Sequence, residues 1–286
     1  MSAAARNASA LESLGRGDWV AVVEAAKTAS LAISAEIDVD DTEGTPEERI
    51  ARLFDRTREP SEELLALLYP LIEYGDTRSI EVIPRVLLHI AERTSAARQE
   101  LEPNRIGGTV VLARLIWALV AYAIHCDRFD AVAEASRATI RVPFGSGEIE
   151  PLIGLQSLRY PDALAGNAGR SFEDYRTWLQ ELPLVAERYP LLASEIDEVF
   201  READVVLAML LGQRGGRIYS MGLDTATVRR LARRLKDRKH RPDLAVIVGA
   251  SEDELDETLE RAYAALETDQ NRWERPPPKL FGQSGD

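Results

Sequence analysis

The sequence predicts an all-α fold: an irregular stack of antiparallel helix pairs, α-solenoid-like or a helical bundle. Three observations predict it. Alanine (38) and leucine (35), the strongest apolar helix formers, dominate the 286 residues, and aromatics make up only 6%. Helix-capping signals recur along the chain. Strand signals are nearly absent; "LAVIVGA", residues 244–250, is the one β-like run, and with nothing to pair with it reads as a short buried helix.

Taken in order, Asp18 is placed to cap a helix from Trp19 to about Ala35. Thr45-Pro46-Glu47-Glu48 combines a cap, a proline in the first turn and a reciprocal glutamate. Its helix is expected to end near Arg58, because Pro60 disfavours helical geometry at Glu59. Ser61 then caps "EELLALLYPLIEY", which Pro70 kinks or divides and Gly75 stops. Residues 77–99 read as another helix, bent at Pro84. A central apolar helix over 106–126 follows, with a partner from Arg128 to Ile140. The apolar run 109–124 is shorter than the roughly 20 residues a membrane span needs and is interrupted by Arg114, so it reads as a helix sheathed by others.

Residues 142–171 hold five glycines and three prolines and form the expected boundary between an N-terminal helical domain (1–141) and a C-terminal one (172–272). In the second domain Ser171 caps "FEDYRTWLQEL", and residues 190–211 carry Leu192, Ile196, Val199, Ala203, Val206 and Leu210 at helical spacing. Residues 273–286 form a proline-rich tail in which Trp273, Leu280 and Phe281 are apolar anchors for docking.

Charge supplies the most distinctive feature. "TVRRLARRLKDRKHR", residues 227–241, carries eight cations and one Asp, a net of +7 in a chain of −13. On a helix beginning at Asp224, Val228, Leu231, Ala232 and Leu235 make a narrow apolar stripe flanked by Arg229, Arg230, Arg233, Arg234 and Lys236, and Pro242 ends the element. Residues 251–269 sum to −7, with a Ser251–Glu254 capping box and a Leu255, Leu259, Ala262, Leu266 stripe. The short link favours antiparallel neighbours whose charges cancel within the molecule. A net acidic chain disfavours DNA, RNA and anionic lipid as partners.

Catalytic and metal chemistry finds little support. His89, His125 and His240 are far apart and no zinc spacing exists, so no catalytic residue, metal ligand or cofactor is expected. Adjacent residues of a helix point about 100° apart, so His125 is badly placed to activate Cys126. The loop "DVDDTEGT", residues 38–45, lacks the glycine and glutamate register of a calcium loop and reads as solvated acid. "GNAGRS" lacks the lysine of a phosphate loop. Arg159 and Arg170 in the 142–171 connection are the cations around which an unfamiliar enzyme site would form. Arg114 and Asp204 interrupt apolar runs and are expected to be paired in the core.

Two resemblances add context. "GDWVAVVEAA", "GDTRSIEVI" and "DRFDAVAEA" resemble the junctions of tetratricopeptide-type hairpins, although Trp19, Thr77 and Phe129 are 58 and 52 apart instead of the family's 34. "FREADVVLAMLLGQRG", residues 200–215, is similar to helical accessory regions of bacterial anti-phage defence proteins. They imply a helical module in a bacterial complex. The expectation is therefore a non-enzymatic cytoplasmic interaction protein (a scaffold, adaptor or regulatory subunit) that binds another protein or a second copy of itself. A nucleic-acid-binding regulator using residues 224–241 is the alternative, and an enzyme sited near 142–171 the second. The lone cysteine fits a reducing cytoplasm, and "MSAAARNASALESLGRGDW" has no secretion-signal core.

Overall fold

The computed structural model describes residues 9, 12, 13, 15, 16, 18–94, 102–137, 139–141, 149–151, 175–212 and 224–270. They form an all-α fold with one short β ribbon. Helix α1 (Trp19–Ile37) begins where expected, with the Asp18 carboxylate accepting the Ala21 N–H at 3.4 Å. Helix α2 (Pro46–Tyr74) opens on the capping box: Thr45 Oγ1 accepts from the Glu48 N–H, and Glu48 Oε2 accepts from the Thr45 N–H.

The expected break near Arg58 does not occur. Helix α2 runs 29 residues through both Pro60 and Pro70, and Ser61 is buried mid-helix instead of capping anything. A proline inside a helix costs about 3 kcal/mol. Against that, Leu64, Leu65, Leu67, Leu68, Tyr69 and Leu71 are fully buried, each stabilising by about 1.5–3 kcal/mol. Tertiary burial outweighs local geometry here.

The segment after Gly75 is divided at Glu81 into α3 (Thr77–Ile80) and α4 (Val82–Ala91), so the expected single helix is broken early, and its part over 95–99 lies outside the described residues. Pro84 lies in the first turn of α4, where its missing N–H breaks no intrahelical bond. Helix α5 (Pro103–His125) is the expected central rod, and α6 (Phe129–Ser136) is its partner. The partner stops short of Ile140. Residues Thr139–Arg141 form β1, paired antiparallel with β2 (Ile149–Pro151), Thr139 opposite Pro151. The β-branched Thr139 and Ile140 suit that conformation better than a helix end.

Residues 175–180 are helical, followed by α7 (Pro183–Arg188), α8 (Pro190–Gly212) and α9 (Thr225–Leu235). A 3-10 turn (Arg238–His240) leads to α10 (Arg241–Val248), and α11 (Leu255–Gln270) closes the described chain. The run "LAVIVGA" is helical as expected, with Leu244, Ala245, Ile247 and Val248 buried. Pro242 does not end α9; it sits in the first turn of α10, and the basic helix stops seven residues earlier at Leu235.

Helix α5 is the axis of the core, with α1, α2, α4, α6 and α8 packed on it. Gly107 and Gly108 let α2 and α1 approach closely. A Cβ on Gly107 would lie 2.7 Å from Leu53 Cδ2, and one on Gly108 2.9 Å from Ile37 Cδ1. These contacts set directions. Leu53 meets Gly107 while Glu73 meets Tyr122, so α2 and α5 run parallel. Trp117 meets Phe200 while His125 meets Glu195, so α8 runs antiparallel to α5. A single hydrophobic cluster extends from Val22 to Ala262, on both sides of residues 142–171. Helix α5 is long and apolar enough to cross a membrane, but most of it is buried among the other helices.

Candidate functional site

The basic helix α9 is built as the sequence implies. Asp224 caps it, Oδ1 accepting from the Thr227 N–H and Oδ2 from the Thr227 hydroxyl, both at 2.8 Å. Val228, Leu231, Ala232 and Leu235 are buried, and α9 packs on α8. The cations then divide into two sets on different sides of the helix. Arg230 and Arg234 are one turn apart on one side. Arg229, Arg233 and Lys236 fall within about 60° of arc on another.

Arg230 and Arg234 are clamped. The carboxylate of Glu202, on α8 and only 1% exposed, accepts a hydrogen bond from Arg230 Nε at 2.8 Å on one oxygen, and its other oxygen lies 3.0 Å from Arg234 Nε as an ion-pair contact. Glu198, one turn earlier, adds a longer contact to Arg230 at 3.7 Å. Arg234 also donates Nη1 to the Ile124 carbonyl at the end of α5. One buried acid thus faces two partly buried guanidinium groups, and Glu198 and Asp127 supply further negative charge to them.

Asp127 gathers the next set. It receives Arg234 at 3.4 Å, His240 Nε2 at 3.0 Å and the Lys239 ammonium. Its backbone is left-handed, φ 58°, the one non-glycine residue with positive φ among those described. The reason is local. The Arg128 N–H bonds Ala123 O and the Asp127 N–H bonds Ile124 O, the pattern of a Schellman helix end, in which glycine is usual. Aspartate tolerates this conformation better than most residues, and here its carboxylate ties α5 to the segment after α9. Burial raises the Asp127 carboxyl pKa, but Lys239, His240 and Arg234 outweigh it and hold the group below its ordinary value.

That sign fixes a pH dependence. A carboxyl depressed in the folded state stabilises above its unfolded pKa, about 3.9, and loses that contribution as pH falls through its folded value. Thermal unfolding of wild type and Asp127→Asn should therefore differ most near neutrality. The gap should close as pH falls below about 4. A gap of constant size down to the acid limit would show that the ion cluster contributes nothing.

Among the described side chains, the arginines of α9 do not pair with the downstream acidic helix. Of the cations in residues 227–241, Arg241 is the one for which an ion pair to that segment is seen, to Asp256 at 2.9 Å, with a further bond to Glu252 O. The expected mutual cancellation of the two helices is thus replaced by pairing of α9 with acids earlier in the chain. The physical reason is depth: Glu202 lies in the α8 interface that buries the stripe of α9, whereas the acids at the start of α11 are exposed. Leu255, Leu259 and Ala262 are buried as the stripe requires; the Leu266 side chain is outside the described set. Ser251 Oγ donates to the Glu254 carboxylate at 2.8 Å, a local bond in place of the expected reciprocal box.

Other cations of the basic stretch reach the surface. Arg229, Arg233, Lys236 and Arg238 are exposed. Arg233 Nε reaches only the Arg229 carbonyl among the bonds seen. Of the other site residues, Arg159, Arg170, Trp273, Leu280 and Phe281 lie outside the described residues.

Two specific sequence features, the His125–Cys126 pair and the 38–45 loop, each have a defined geometry. His125 Nδ1 faces Glu195 at 3.1 Å. Burial pushes the Cys126 thiol up to about 11, the direction opposite to an activated nucleophile. The 38–45 loop is not merely solvated. Asp41 holds Arg52 through two bonds and also meets Arg56, and Asp38 meets Arg93 and Arg105. Arg52 above all lowers the Asp41 carboxyl from 3.8 to about 2. A calcium ion there would have to displace arginines. Among the described residues no His, Cys, Asp and Glu cluster could hold a metal.

One cluster escaped sequence reading. Tyr69 and Tyr122 stack at 3.9 Å, with Tyr189 edge-on to both. The Tyr122 hydroxyl donates to Glu73 at 2.7 Å. Burial pushes all three phenols up, keeping them protonated donors. Nothing in the spacing of residues 69, 122 and 189 announces the contact. Arg114 lies on α5 with its guanidinium 4.2 Å from the Phe54 ring centre, and Asp204 is buried on α8.

No protein-family model, curated protein or solved structure matches this chain.

Proposed function

We propose that the chain is a non-enzymatic protein-interaction module of the cytoplasm, a scaffold, adaptor or regulatory subunit, and that the exposed row on α9 binds an acidic segment of a partner protein. The supporting observation is the division of α9. Arg230 and Arg234 are engaged by Glu202 and Asp127, while Arg229 and Arg233 line one exposed side. The clamped pair already ties α9 to α8, and among the described residues Arg229 and Arg233 are held by no ion pair. Acidic polypeptide is a better match than nucleic acid. Removing the +7 stretch leaves −13 − 7 = −20, which opposes a long polyanion, and no aromatic is interleaved in α9 for base stacking.

Fluorescence anisotropy with a labelled Glu/Asp-rich peptide tests this. Binding at low salt should weaken steeply as salt rises and fall at least about tenfold in Arg229→Glu/Arg233→Glu, with the melting temperature unchanged. Equal binding by that variant would contradict the proposal. Tighter binding of duplex DNA or RNA than of peptide in the same buffer would replace it with the nucleic-acid-binding regulator.

A further inference from the structure

We infer that the acidic segment received by the exposed row of α9 is the start of α11 in a second copy of this chain, an inference that rests on reading that row as a docking surface. The chain carries two segments of equal and opposite charge, residues 227–241 at +7 and 251–269 at −7. Within one copy the described arginines of the first segment make few ion pairs to the described acids of the second. Arg230, Arg234 and Lys239 turn to Glu198, Glu202 and Asp127, and Arg241 alone is seen to reach Asp256.

The acidic side is left over as well. Glu252, Asp253, Glu254 and Glu257 are exposed at and just before the first turn of α11. Among the described residues Glu257 pairs with Arg261 on its own helix, with both side chains well exposed, an arrangement that contributes little. Helices α9 and α11 both pack on α8, so one scaffold presents both faces. An identical chain brings the complement of each. A two-fold arrangement engages both at once, α9 of each copy against α11 of the other, which is the self-complementary pattern closed dimers require. The acidic remainder of the surface repels a second copy elsewhere, so charge also selects where contact forms.

Sedimentation velocity on the full chain tests this with wild type, Arg229→Glu/Arg233→Glu, Glu252→Lys/Glu257→Lys and an equimolar mixture of the two variants. Wild type should self-associate at low salt and dissociate at high salt. Each variant alone should associate at least about tenfold more weakly, and the mixture should recover the loss. Matching melting temperatures exclude misfolding as the cause. A wild type that stays monomeric at low salt, or association indifferent to both reversals, overturns the inference. If the monomer still binds the acidic peptide through Arg229 and Arg233, the docking surface stands and only the second copy is excluded. If it binds neither, both fail.

Discussion

Glu202→Ala is expected to lower stability by about 3 kcal/mol and the melting temperature by roughly 5–10 °C. The carboxylate is buried and holds Arg230 and Arg234 at 2.8 and 3.0 Å. Breaking a buried ion pair costs about 3–5 kcal/mol, because the partner charge is left behind. The two arginines keep 25% and 31% of their side-chain exposure, so water recovers part of the loss, and the low end of that range applies. Glu202→Gln keeps one hydrogen-bond acceptor without the charge and should fall between. Glu198→Ala removes a 3.7 Å contact from a side chain 63% exposed, and should change stability by less than about 0.5 kcal/mol. A Glu202→Ala protein that melts with wild type would show that α8 and α9 are held by their apolar contacts alone.

Gly75→Ala is expected to cost about 2–3 kcal/mol, read from the denaturation midpoint at unchanged m-value. Gly75 ends α2 with φ −69° and ψ 148°, an extended conformation open to any residue. Space, not dihedral freedom, demands glycine. A Cβ would lie 2.2 Å from the Leu71 carbonyl oxygen and 3.1 Å from Ser79 Cβ. The first of these is backbone and cannot swing aside, so the end of α2 must move. That movement disturbs Arg128, which donates to Glu73 O at 3.1 Å and Gly75 O at 3.0 Å while gripping Asp130 through two bonds. Arg128→Ala serves as the companion variant. If Gly75→Ala costs nothing, the turn tolerates displacement and the Arg128 contacts are incidental.

These residues also show where sequence reading succeeds and stops. Caps were legible because they are local: Asp18, Thr45 and Asp224 each bond an N–H three residues on. The apolar stripe of α9 was legible from periodicity, and so was the central rod. The continuity of α2 through Pro60 was not, since it depends on leucines buried by helices far away in sequence. Gly75 was legible as a helix stop, but its reason, the nearby Leu71 oxygen, is three-dimensional. Distance along the chain points from the basic helix to the nearest acidic helix, which is not where Arg230 and Arg234 pair. A better signal was present: Glu198 and Glu202, one turn apart on α8, mirror Arg230 and Arg234, one turn apart on α9. Asp204 stands out in the sequence because it interrupts an apolar run, whereas Glu202 follows Arg201 in a charged stretch. Asp127 was invisible in this role, because its ion contacts require α5, α9 and the following turn to be in place.

The central claim is that α9 carries two kinds of cation, one holding the fold and one facing outward. Thermal unfolding of Arg230→Gln/Arg234→Gln beside Arg229→Gln/Arg233→Gln, in one buffer, tests it most directly. The first pair of changes strands buried Glu202 and should lower the midpoint by roughly 5–10 °C, while the second should leave it within about 2 °C of wild type. Equal losses from both variants, or a larger loss from the second, would contradict the division.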